Sequence, residues 1–119
     1  MKKIIAVLAV MVSLHSQAFV GTGNDNLQNA RLFLKAESNG GWGNIEELEG
    51  RGFWVGKVSG LASVFADPQY KWTVCYPEGA TNGQLAEISA KYLVDNPEIR
   101  AKDLNFIVWK SHKDVFGLC

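Results

Sequence analysis

Two cysteines, two histidines and three prolines are all that this 119-residue chain holds of three residue types tied to metal binding, nucleophilic catalysis and chain reversal. A structural zinc site takes four ligands, and a hydrolytic centre takes a nucleophile, a base and a group that orients the base. The histidines are His15 and His112, and the cysteines are Cys75 and Cys119. Neither inventory supplies the four ligands of a structural zinc site, and an activated thiol would need one of the two histidines as its base. Charge of one sign is missing as well: 12 basic residues face 12 acidic ones. A balanced chain carries no electrostatic footprint for nucleic acid or for an anionic membrane. No internal repeat, low-complexity tract or linker divides the sequence, so its length suits one domain.

A long hydrophobic run is absent too. The most apolar opening stretch, "MKKIIAVLAVMVSLHSQAFV", is broken by Ser13, His15 and Gln17, short of the roughly 20 residues that span a bilayer. Two lysines, an apolar run from Ile4 to Val12 and a small-residue site at Ser16-Gln17-Ala18 together read as a cleaved secretory signal over residues 1–18. The absence of cysteine at the cleavage site argues against a lipoprotein. Removal of Lys2 and Lys3 leaves residues 19–119 slightly acidic, with 10 basic against 12 acidic residues. Proteins or small molecules are then the expected partners, with no nucleic acid and no membrane after cleavage.

Export settles how the cysteines are read, because an oxidising compartment lets two thiols pair. A Cys75–Cys119 disulfide is expected. Its loop of 44 positions would contribute about 4 kcal/mol in the chain-entropy account. A catalytic thiol is the competing reading, and it needs a base nearby.

Periodicity then points to helices. In "NDNLQNARLFLKAES", Asn24 or Asp25 offers an N-cap, and Leu27, Ala30 and Leu34 recur at helical spacing with Phe33 widening the stripe. Residues 39–52, "NGGWGNIEELEGRG", read as a long Gly- and Asn-rich loop with at most one helical turn at Ile45 to Leu48. In residues 52–66, Trp54, Val58, Leu61 and Phe65 mark a buried helical face. Gly52, Gly56 and Gly60 form a second stripe that would admit another helix closely, at about 1 kcal/mol per glycine in helix propensity. Tyr70 to Tyr76 reads as a short extended piece between Pro68 and Pro77. Thr81-Asn82-Gly83-Gln84 is a capping box, and Leu85, Ile88, Leu93 and Tyr92 complete an amphipathic helix. Asn96-Pro97-Glu98 reads as the start of the last helix, with Leu104, Ile107, Val108, Ser111 and Val115 on one face and Phe106 and Trp109 on another. The expected fold is all-α, a small single-domain bundle of about four helices with one disulfide.

Chemistry is harder to find. His112 sits in "WKSHKD" among charged residues, which reads as a solvated helix face. Ser59 in "GKVSG" is one position off a nucleophile elbow. Glu46, Glu47 and Glu49 lack further ligands at a calcium-loop spacing, and Asn24-Asp25-Asn26 fails for the same reason. The inventory assigns no catalytic residue, no metal and no cofactor.

The run Cys75, Pro77, Thr81, Gly83-Gln84-Leu85, Lys91-Tyr92-Leu93, Asn96-Pro97 and Cys119, with Gly52-Phe53-x-x-Gly56 upstream, resembles the periplasmic immunity proteins that protect bacteria from type VI secretion amidase effectors. The resemblance extends over residues 24–119. One departure stands at Glu49-Gly50-Arg51, where many members carry a further cysteine. The resemblance implies a periplasmic, mostly helical and often dimeric protein that occludes the active-site cleft of a peptidoglycan amidase without performing chemistry itself. Within that picture Trp42, Glu46 and Glu47 are the expected partner-binding residues, since interface anchors favour exposed aromatics; Trp42 closing over the core is the plainer reading. Phe106 and Trp109, with the glycine stripe, are the expected faces of a homodimer. A small periplasmic acid-stress chaperone is the alternative from another class.

Overall fold

The computed structural model describes residues 20–119; the expected signal segment lies outside the described residues. Four α-helices follow one another: α1, Gly23–Ser38; α2, Ile45–Phe65; α3, Asn82–Asp95; and α4, Leu104–Phe116. A 3₁₀ turn at Pro97–Ile99 stands between α3 and α4. The all-α expectation is met, and α1 packs most extensively on α2, while α3 is covered by α1, α2 and α4.

Three of the four helices begin at a side-chain cap, and the starts of α1, α2 and α4 differ from the expected ones. α1 is capped by Thr22, whose Oγ1 accepts from the Asp25 amide at 3.2 Å while Asp25 Oδ2 accepts from the Thr22 amide at 3.0 Å. Asp25 is therefore the third helical residue of a capping box, and neither Asn24 nor Asp25 is the cap. That carboxylate is held below its usual range, chiefly by the Thr22 amide and next by the Thr22 hydroxyl. The second difference is α2, which begins at Ile45 behind Asn44 and runs for 21 residues. Asn44 Oδ1 accepts from the Glu47 amide at 2.8 Å, so most of the expected loop is the first two turns of α2. α3 starts at the foreseen capping box, with Thr81 and Gln84 exchanging both bonds.

The last helix starts later than Asn96-Pro97 suggests. Asn96 Nδ2 donates to the Tyr92 carbonyl and caps nothing. The carbonyls of Arg100 and Lys102, which a continuing helix would use, accept instead from the Asn24 and Gly23 amides at 2.7 and 2.9 Å, and the Leu104 amide donates to Gly21. Residues 100–104 thus complete the first turn of α1, and the helix re-forms only at Leu104.

The core is built from Ala30 and Phe33 of α1, Trp54 and Val58 of α2, Ala90 and Leu93 of α3, and Leu104, Ile107 and Val108 of α4, all fully buried. Burying each of the larger side chains contributes about 1.5–3 kcal/mol. Trp54 meets its own polar requirement by donating Nε1–H to the Ala86 carbonyl at 2.8 Å, which ties α2 to α3. Val115, expected on the core face, is 58% exposed.

The glycines of α2 divide in an unexpected way. Among the described residues a Cβ at Gly52, Gly56 or Gly60 would meet nothing within 4 Å, so none of their helices packs on that stripe. The close approach occurs at Gly50, where a Cβ would sit 2.6 Å from Leu32 Cδ1 of α1. The expected disulfide is present: Cys75 and Cys119 are bonded, with their Cα atoms 4.9 Å apart. A backbone bridge between Val74 and Leu118 reinforces it, with the Cys75 amide donating to Gly117 and the Cys119 amide to Thr73.

Candidate functional site

Three groupings of side chains stand out, two on the surface and one inside. The first is the corner where α1 turns into α2. Gly40 and Gly41 both take positive φ, 70° and 88°, and the Gly41 amide returns to the Ala36 carbonyl at 2.8 Å. This reversal is open to glycine at no steric cost. It throws Trp42 clear of the core: Trp42 and Ile45 are each 76% exposed, and Phe53, two turns along α2, is 62% exposed. Glu46 and Glu49 are exposed on the same stretch of helix.

Glu47 is different. It is buried and forms an ion pair with Lys35 of α1 at 3.2 Å, while Arg51 pairs with Glu37 at 2.7 Å. Both pairs cross from α1 to α2 and brace the corner from beneath. The structure therefore brings Trp42 and Glu46 to the surface together, turns Glu47 inward, and adds Ile45 and Phe53. Phe53 was within reach of sequence reasoning, since it lies eight positions beyond Ile45 and falls outside the Trp54/Val58 core stripe.

The second grouping is aromatic. Tyr70 and Trp72 stack with centroids 4.6 Å apart, Phe106 lies 6.1 Å from Trp109, and the Lys113 ammonium sits 4.7 Å over the Trp109 ring. Trp109 Nε1–H donates to the Trp72 carbonyl at 2.9 Å, which fixes the connection between α2 and α3 against α4. Phe65, Trp72, Asn105, Phe106 and Trp109 line a shallow hollow of about 320 Å³ between them. Phe106 is 42% exposed and Trp109 half-buried, so Phe106 of the two expected dimer-face residues is the outward one.

The third grouping was not legible as a site. His112, expected on a solvated face, is fully buried. Its ring meets the Tyr76 hydroxyl at Nδ1 (2.7 Å), and at Nε2 it meets both the Leu85 carbonyl (2.9 Å) and Ser89 Oγ (3.0 Å). A carbonyl only accepts, so Nε2 carries the proton and Nδ1 accepts from Tyr76 O–H. Ser111 Oγ–H donates to the Val108 carbonyl, which leaves Ser89 Oγ–H to donate to Ser111. Every proton of the cluster is placed by these constraints, and the histidine is neutral. Burial pushes the ring below its ordinary value, opposed in part by the Leu85 contact, and burial also raises the Tyr76 hydroxyl.

Position explains the error. His112 lies four residues after Val108 and eight after Leu104, on the core stripe, and its charged neighbours Lys110, Lys113 and Asp114 occupy the outer face. Ser89 and His112 form a serine–histidine hydrogen bond, but both residues are fully buried, so no substrate carbonyl reaches the serine oxygen.

Among the described residues no group of three or more His, Cys, Asp or Glu side chains is placed to hold a metal ion, and no helix is long and apolar enough to cross a membrane. No protein family, curated protein or solved structure matches this chain.

Proposed function

We propose that the chain is a periplasmic immunity protein that binds a type VI secretion peptidoglycan amidase effector and occludes its active site. The observation that carries the reading is the α1–α2 corner. Trp42, Ile45 and Phe53 stand out from a support stiffened by the Lys35–Glu47 and Arg51–Glu37 pairs, and Glu46 and Glu49 set acidic charge beside them. A rigid, exposed aromatic residue enters a cleft at low entropic cost, and such residues dominate binding energy at protein interfaces. The motif run from Cys75 to Cys119 and the signal-like composition of residues 1–18 support the same reading. The inhibitor acts by filling the cleft, and the chemistry belongs to the enzyme it blocks.

The test is binding of the oxidised protein to purified amidase effectors, those encoded beside its gene first, followed by hydrolysis of cell-wall fragments. Stoichiometric capture with loss of hydrolysis is expected. Trp42→Ala is expected to weaken the complex at least tenfold while moving the melting temperature by less than about 2 °C, as befits an exposed side chain. A melting temperature that falls while affinity holds would assign Trp42 to packing. The exposed Trp72–Phe106–Trp109 hollow favours a second reading, an acid-stress chaperone that holds unfolded clients on apolar surface. Suppression of client aggregation at low pH, with no amidase bound at any pH, would select it.

A further inference from the structure

The His112 cluster takes no part in either surface and has a property of its own. It joins three separate pieces of chain: α4 through His112 and Ser111, α3 through Ser89 and the Leu85 carbonyl, and the connection before α3 through Tyr76. The neutral ring is saturated, and a second proton has only Nδ1 to bind, where the Tyr76 hydroxyl already donates. The Tyr76 hydroxyl bonds to His112, so a turned hydroxyl would give up that acceptor.

No counter-charge stands by to accept a charged ring. On α3, Glu87 is paired with Lys91; on α4, Lys110 is paired with Asp114 and the Lys113 ammonium lies over Trp109. On the connection before α3, Tyr76 faces the ring and Glu78 is exposed. On α2, Lys57 is engaged with Asn26 of α1. His112 makes no ion pair with any of them. The closed arrangement accommodates only the uncharged ring.

The piece that can yield is the connection. Residues 66–81 hold no helix; they are tied down by the Val74 amide on the Phe65 carbonyl, by Trp109 of α4 on the Trp72 carbonyl and by the bonded Cys75 and Cys119. The disulfide and the Val74–Leu118 bridge make residues 73–77 and 117–119 one clasp. Val74 packs into the core from this clasp, but most of the core, Phe33, Trp54, Leu93, Leu104 and Ile107 among it, comes from the four helices themselves.

The geometry points to an acid-sensitive latch: proton uptake by His112 releases Tyr76, and with it the disulfide-linked clasp, from the α3–α4 face, baring Val74 and Phe116 while the helices remain packed. Burial of the ring places the event below its ordinary value of 6.5. The latch goes beyond the proposed function and holds whichever partner the protein has.

The experiment follows the oxidised protein by NMR from roughly pH 8 to pH 4, the range in which a histidine titrates. His112 ring shifts, exchange of the Val74 amide, which donates to Phe65 outside the clasp, and the far-ultraviolet helical signal are read in parallel. The latch requires that amide to lose protection, by about tenfold or more, in step with His112 titration and with the helical signal unchanged. Tyr76→Phe removes both the donor from Nδ1 and the latch bond itself, so the Val74 amide is expected to be unprotected across the range while the His112 midpoint moves to higher pH; in His112→Gln no protonation-linked change in protection remains. Loss of protection only together with the helical signal, full protection through the His112 titration, or a transition that survives His112→Gln would each overturn the proposal. Should His112→Gln fail to fold, an unmoved midpoint in Tyr76→Phe overturns it as well.

Discussion

At the scale of single residues, Gly50 and Gly56 lie six positions apart on one helix and answer to opposite demands. Gly50 faces Leu32 across the α1–α2 contact, so Gly50→Ala forces the two helices apart and should cost about 1–3 kcal/mol, as overpacking does. Gly56 faces open space in a helix interior, so Gly56→Ala should stabilise by about 0.5–1 kcal/mol through helix propensity and a less free unfolded chain. Urea denaturation of both variants checks the pair, and equal signs would contradict the geometry. Within the described residues the close helix approach on α2 falls at Gly50, which sequence reasoning did not single out. The four-residue spacing of Gly52, Gly56 and Gly60 is visible in one dimension, whereas the neighbour that makes Gly50 necessary is Leu32, eighteen positions away.

His112 belongs to the same scale through its effect on folding. Its folded-state value is lowered, so between that value and the unfolded value near 6.5 the unfolded chain binds the extra proton. Stability is therefore fully present above that window and falls as pH falls through it, by about 1.4 kcal/mol per pH unit where the two states differ by one proton. Urea midpoints measured from pH 8 to pH 5 should decline below about 6.5, and His112→Gln should flatten that part of the curve.

At the scale of elements, the legible helices are those whose start signals are local. The Thr81-x-x-Gln84 box was readable because both partners lie within four residues. Thr81→Ala should cost about 1 kcal/mol, measured as a shift of the urea midpoint at constant slope. The start of α2 was hidden by composition: Gly43, Gly50 and Gly52 around Asn44 look like loop, and the pairing of buried Glu47 with Lys35 of α1 that helps hold those turns is a contact with another helix. That same contact is why Trp42 and Glu46 were readable as exposed residues and Glu47 was not. The start of α4 was hidden for the converse reason. Asn96-Pro97 is a sound start signal, but the carbonyls that would continue the helix are used by α1.

At the scale of the whole molecule, the number and class of elements, most of the core and the disulfide were legible, because apolar periodicity and a pair of cysteines are carried by composition and spacing. The clasp is where the covalent and non-covalent frameworks meet. Replacing Cys75 and Cys119 together by serine should lower stability by about 4 kcal/mol on the chain-entropy account. The helical signal at low temperature should survive, because most of the core comes from the helices and the clasp adds only Val74 to it. Thermal melts of the oxidised protein with and without reductant should reproduce the difference, and a reduced protein that melts like the oxidised one would show the clasp to be held by its backbone bonds alone.

The first turn of α1 has a consequence in time. Its opening amides, on Gly23 and Asn24, are satisfied by carbonyls at Lys102 and Arg100, nearly eighty positions later. As the chain emerges in order, the opening amides of α1 wait for those carbonyls. Closing so long a loop is costly before other contacts are in place, so the contact between residues 21–24 and 100–104 is expected to form after the transition state for folding. Thr22→Ala should accordingly speed unfolding by most of its stability cost and leave the folding rate nearly unchanged, a division that stopped-flow kinetics in urea would read directly.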